Sequence, residues 1–310
     1  MTRLVDDAMF AEAITAAGFS MDGAVAGPAA LASPSYKALE SRSMVIGDVF
    51  AKQMHPEMRA GFDLDAAMLA AQHAGDVGVG PKVLFFDAQT GFIAMQALLD
   101  GWVTADQGKL QDALTLASAM ASLKGFHQTA ALPSRFDPFA QIDRLTDDLG
   151  RIECALPDDV IWLRRLIAKI EPIMRDTGLL VPCRNDGSSS NLMLGPEGQV
   201  LLVDFDRAGM NDPLYDVGCL LAEVTDFERG MHAGYVAYAG SFDEAGFARA
   251  RLWSHVDDLL HALWARHMAH TSERRMLEWL KYGEWRLMRV RMALMHPQFE
   301  EKIRIVGGLD

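Results

Sequence analysis

Residues 183–191 read Cys183-Arg184-Asn185-Asp186-Gly187-Ser188-Ser189-Ser190-Asn191, and residues 201–206 read Leu201-Leu202-Val203-Asp204-Phe205-Asp206. The first stretch is a polar loop of small residues that favour turns over helix. The second is a short apolar run that ends on an acid. With the Gly195-Pro196-Glu197-Gly198 turn between them, residues 180–206 form a loop and two short strands.

This stretch interrupts a long helical pattern. Helices are predicted at 106–127, 138–150, 158–177, 214–226, 228–239, 244–271 and 272–294, from apolar residues recurring at helical spacing. Asp137-Pro138 marks one start, as an N-cap followed by Pro in the first turn, and His127 reads as a satisfied structural histidine. Upstream, a helix over 5–18 stops at Gly18, and short strands are predicted at 36–39 and within 45–54, where Gly47-Asp48 is the turn. A helix over 63–74 follows, then strands at 82–86 and 92–97. The fold class is α+β: a small, mostly antiparallel sheet lobe (1–98) with one inserted helix, and a large helical lobe (99–310), hinged near Leu98–Gly101. A cleft between lobes is where a ligand binds.

Composition narrows the partners. Half of the 310 residues are hydrophobic, enough for a sizeable core, and 29 basic against 42 acidic residues give a net charge of −13. That argues against nucleic acid, which rewards clustered Lys and Arg. It suits a small-molecule substrate, cationic ones included. Cys154, Cys183 and Cys219 lack metal-ligand spacing and read as reduced thiols. The N-terminus carries acids within its apolar pattern, and no apolar run approaches the ~20 residues that span a bilayer, so no membrane partner and a cytoplasmic location are expected. The oligomeric state stays open.

The chemistry sits in the interruption. Phosphoryl transfer needs a carboxylate that orients the attacking hydroxyl and takes its proton, and hard oxygen ligands for Mg²⁺. Asp186 fits the first role; Asn191 and Asp204 fit the second. Alone, Asp186 reads better as an Asx-turn residue and Asp204 as a strand-end surface acid. Their ordered spacing between two short strands favours the chemical reading.

With its Asp186-to-Asn191 loop, its Val203-Asp204-Phe205-Asp206 strand and the following Asp212-Pro213-Leu214-Tyr215-Asp216-Val217-Gly218, the chain resembles the choline kinase and aminoglycoside phosphotransferase superfamily, relatives of the protein kinases. Asp257-Asp258-Leu259, Trp264-Ala265 and Tyr282-Gly283-Glu284-Trp285-Arg286-Leu287 resemble its bacterial choline/ethanolamine kinase-like members. The resemblance implies a protein-kinase-like two-lobed fold, ATP and Mg²⁺ as cofactors, and transfer to the hydroxyl of a small metabolite. Amino alcohols such as choline or ethanolamine lead; aminoglycosides, amino acids and sugars are alternatives, and so is a catalytically impaired sensor of nucleotide or metabolite.

The resemblance also assigns roles. Lys52 looks like the strand lysine that contacts the α- and β-phosphates; by alternation alone it is equally a surface lysine. Its helix partner would be Asp63 or Asp65, here Asp65, although both also suit a helix N-terminus. The phosphate-covering stretch 29–36 has no glycine, which leaves Ser33 and Ser35 as hydroxyl donors to phosphate. Arg184 stands where the family has a loop-supporting His, so the loop must be braced differently. Asp206, Asp258, Trp264, Glu284 and Trp285 are the substrate candidates, with an aromatic face to hold an ammonium group. The alternative for each ring is core packing.

Overall fold

The computed structural model describes residues 2–28, 40–175, 179–274 and 276–308. The expected strand over 36–39, Ser33 and Ser35 lie outside them.

The chain begins with α1 (Thr2–Ala16), β1 (Val25–Ala26), β2 (Ser41–Ile46), β3 (Val49–Met54), α2 (Pro56–Arg59), α3 (Leu64–Asp76), β4 (Val83–Asp87) and β5 (Phe92–Gln96). The five strands form one antiparallel sheet in the order β1-β2-β3-β5-β4. Gly47, at φ +59°, makes the tight β2–β3 turn that a side chain would strain. The register sets Lys52 opposite Ser43 on one side and Ile93 on the other. Asp63 caps α3 by accepting from the Ala66 N–H at 3.0 Å, and the alanine-rich face of α3 is buried.

The second lobe holds β6 (Val103–Thr104), α4 (Gln107–Leu110), α5 (Ala113–His127), α6 (Pro138–Arg151), α7 (Val160–Arg175), β7 (Val181–Cys183), β8 (Leu192–Leu194), β9 (Val200–Leu202), β10 (Gly209–Asn211), α8 (Pro213–Val224), α9 (Glu228–Ala239), α10 (Glu244–Thr271), α11 (Leu277–Leu294) and α12 (Gln298–Val306). The strands make two small antiparallel sheets, β10-β7 and β6-β8-β9. The loop 184–191 leaves β7 and enters β8, and Asp204 follows β9.

Three helix expectations change. The run 106–127 is two helices, because Asp112 accepts from the Thr115 N–H and starts α5 afresh. The last long helix begins at Leu277, not 272: the Ser272 hydroxyl accepts from the Arg274 N–H and donates to Glu57, drawing the chain off helical geometry. A further helix, α12, buries Phe299 against the α7 and α10 side of the core.

Two close approaches fix the region behind the loop. A Cβ on Gly218 would lie 1.8 Å from the Ala250 carbonyl oxygen, so α8 packs on α10 only with glycine there. One on Gly187 would lie 2.5 Å from the Cys219 backbone. The lobes are joined by shared packing: Met54 and Met58 of the small lobe meet Met268 and Trp279 of the large one. Among the described residues, no helix is long and apolar enough to cross a membrane.

Candidate active site

The loop 184–191 is held from behind by Asp216 on α8, which is fully buried. Its carboxylate accepts the backbone N–H groups of Arg184 and Asn185, both at 2.7 Å, and contacts His127 Nε2 at 3.0 Å. His127 Nδ1 in turn meets the Tyr238 hydroxyl at 2.8 Å. This anchoring lets Asn185 adopt a left-handed φ of +57°, with its amide donating to the Arg207 carbonyl at 3.0 Å.

Arg184 braces the loop from inside. It is fully buried, and its guanidinium donates to the carbonyls of Asn191 (2.7 Å), Val203 (3.1 Å) and Asp186 (2.5 Å). One side chain thus ties both ends of the loop to the strand that carries Asp204. A guanidinium suits this task because all three partners are acceptors. Asp186 accepts from the Ser188 N–H at 2.8 Å and from the Asn191 amide.

Opposite the loop, Lys52 on β3 lies 2.7 Å from Asp204 and 2.8 Å from Asp206. Burial alone would lower the ammonium's pKa, but the two carboxylates outweigh it and raise it. Burial likewise opposes ionisation of Asp204, yet Lys52 and the Arg184 charge hold it below the usual carboxylate range. Asp206 goes the other way: burial first, then the neighbouring Asp204 and Glu40 charges, push it up to about 7 against the pull of Lys52. Glu40, Asp204 and Asp206 each bring a carboxylate oxygen within 4.8 Å of the others. Asp204 has φ +65°, in the left-handed region that residues other than glycine rarely adopt.

These groups line one cavity of about 320 Å³ between the lobes. Lys52, Asp186, Asn191, Asp204, Asp206 and Trp264 are all on its wall. Its wall includes the apolar Phe50, Ile93, Met95 and Met193, together with Arg207, His261, Trp264 and Tyr282. The hard oxygens of Asn191 and Asp204 are the donor type that Mg²⁺ takes, so these residues fit that ion.

Four expected residues are not brought here. Asp65 is exposed in the first turn of α3, and Lys52 spends its ion pairs on Asp204 and Asp206. Asp258 is buried behind the cleft, bonded to Arg286 at 2.8 Å and Arg289 at 3.2 Å. Glu284 is exposed and pairs with Arg266. Trp285 has the Arg286 and Arg289 guanidinium groups 5.2 and 4.8 Å from its ring centre. On α11 the residue that faces the cavity is Tyr282. Sequence reasoning also missed Glu40, Arg207, His261 and the anchoring role of Asp216; only Asp216 carried a signal, as the second acid of the quoted Asp212–Gly218 stretch.

The profile of the phosphotransferase enzyme family, APH, matches residues 42–253, which include Lys52, the loop 184–191, Asp204, Asp206 and Asp216. The chain belongs to this family. LicA of Haemophilus influenzae is 25% identical over 150 residues, a match that spans 47% of this chain and 43% of LicA's length. Among solved structures, the choline/ethanolamine kinase family protein of Mesorhizobium loti superposes with a TM-score of 0.80 at 23% identity over 99% of each chain. The choline kinase LicA of Streptococcus pneumoniae gives 0.72 at 15% identity over 97% of this chain and 99% of its own. A structure of LicA in complex with AMP gives 0.71 at 16% identity, covering 91% and 96%. At these identities the structures establish a shared two-lobed, kinase-like α+β fold.

Proposed function

We propose that this protein transfers the γ-phosphoryl group of ATP to a hydroxyl of a small metabolite. The observation that carries this reading is the convergence of Asp186, Asn191, Asp204 and Lys52 on one interlobe cavity. Asp186 receives the proton of the acceptor hydroxyl as its oxygen bonds to the γ-phosphorus and the bond to the β–γ bridging oxygen breaks, leaving ADP. Lys52, charged at any physiological pH, moves from its carboxylate partners toward the phosphates. The apolar part of the wall, Phe50, Ile93 and Met95, suits a flat base. Mg²⁺ held by Asn191 and Asp204 would neutralise the phosphate charge. Nucleotide binding is supported by the LicA complex with AMP, and the relatives' names place choline and ethanolamine in the first acceptor panel. A cytoplasmic enzyme with three free thiols fits this chemistry.

The competing reading, a nucleotide-binding sensor, draws on the exposure of Asp65, which leaves Lys52 without a helix acid. Release of ADP from Mg-ATP that depends on an added alcohol supports the transferase. A nucleotide-induced rise in melting temperature without turnover of any acceptor supports the sensor.

A further inference from the structure

The ring that could receive an ammonium group in this cleft is already covered. The Arg207 guanidinium lies 4.9 Å from the centre of the Trp264 ring and 5.0 Å from that of Phe62, so one aromatic from each lobe faces it. Its side chain is only 10% exposed. Among the described residues its one hydrogen bond runs from Nη2 to Glu40 at 2.6 Å. A guanidinium has five N–H donors in a planar fork, so donors remain on a buried cation that borders the cavity.

From this geometry we propose that Arg207 is the specificity-determining residue of the acceptor subsite, and that the acceptor carries an oxyanion, carboxylate or phosphate, beside its reacting hydroxyl. Paired oxygens of a carboxylate or phosphate match the planar guanidinium fork and make charge-assisted hydrogen bonds. Glu40 shows that a carboxylate fits against this edge, and an acceptor oxyanion shares the fork with it or takes its place. A quaternary ammonium at Trp264 would instead meet a like charge with no hydrogen bond to offer. A small side cavity of about 80 Å³ shares Asp206 and Arg207 with the main one and adds Arg135 to its wall. Arg135 has no ion pair among the described residues. Asp186 and Arg207 line the same cavity, so the acceptor's hydroxyl and its oxyanion share one pocket, as in a compact hydroxy acid.

The inference rests on the phosphotransfer reading for its chemistry, but its test need not. Binding of glycerate, glycerol 3-phosphate and choline to the full chain is measured by calorimetry with a non-hydrolysable Mg-ATP analogue, and turnover is measured separately with ATP. The expected result is that one of the two oxyanions binds more tightly than choline by about 10- to 100-fold, the worth of a charge-assisted contact. Comparing the two acids identifies the oxyanion. Arg207→Met keeps an apolar stem between the rings without the charge, and it should erase that ratio without erasing the melting shift caused by nucleotide. Choline binding as tightly as either acid, neither acid binding, or an unchanged ratio in Arg207→Met would each overturn the assignment. If the variant does not fold, the wild-type ratio decides. Absence of turnover with the binding ratio intact would count against phosphotransfer alone.

Discussion

Lys52 and Asp204 come from opposite lobes, 152 residues apart in sequence, and meet at 2.7 Å across the cleft. Asp206 takes the same ammonium at 2.8 Å. One cation therefore offsets two buried carboxylates and keeps them compatible with each other.

Removing that cation leaves Asp204 and Asp206 unrelieved. Lys52→Met should lower kcat/KM for ATP by about 10²- to 10³-fold, the usual loss when one charge-stabilising group is removed. Steady-state kinetics at varied ATP checks this.

Asp206 gives a pH signature. Its folded pKa of about 7 lies above the ordinary 3.8, so the folded state holds the proton more tightly than the unfolded chain. Ionisation of Asp206 then costs stability as pH rises from about 4 to 7, and the cost is full above 7. The Lys52 and Asp204 contributions run elsewhere: the raised Lys52 is lost only at high pH, and the depressed Asp204 only in acid. Asp206→Asn should melt higher than wild type at pH 8, on the order of 1–3 kcal/mol, with a smaller advantage at pH 5. Thermal melts at the two pH values test it; equal differences at both would contradict the assignment.

Arg184 holds three carbonyls, and Asp216 holds two backbone N–H groups behind it. Arg184→Ala strands those buried acceptors and should destabilise the protein by about 3 kcal/mol. Arg184→Lys, which brings three donors but no planar fork, should retain part of that loss. Chemical denaturation of the two variants measures the difference.

The cavity wall separates acceptor residues from bystanders. Trp264→Ala, which removes the ring beneath the Arg207 guanidinium, should raise the acceptor KM by about 3- to 10-fold. Glu284→Gln should leave it unchanged, because Glu284 is exposed and pairs with Arg266 off the cavity. Equal effects from the two would place the acceptor elsewhere.

The legible part of this site is the part written locally. Asp186, Asn191, Asp204 and Asp206 lie within one stretch of loop and strands, and alternation on β3 puts Lys52 and Phe50 on the same face. Contacts between distant segments left no such trace: Glu40 and Arg207 are 167 residues apart. On α11 the rotation decides, and it follows from packing on α10. Tyr282 turns toward the cleft while Trp285, less than one turn later, packs beside Arg286 and Arg289. For the same reason Asp258 reads as an available acid in sequence and is a buried ion-pair partner in the fold. The helix breaks at Asp112 and Ser272 were hidden because each depends on a side chain choosing a local backbone partner over the helix.

The central claim is that Asp186 takes the acceptor's proton in a site assembled for Mg-ATP. It is tested most directly by following phosphate transfer from γ-labelled ATP with wild type and Asp186→Asn side by side, with nucleotide affinity measured on both. The account predicts acceptor-dependent transfer by wild type and a fall in kcat of about 10³-fold or more in the variant, with ATP affinity nearly unchanged. Full activity in Asp186→Asn, or no binding of Mg-ATP by wild type, would contradict it.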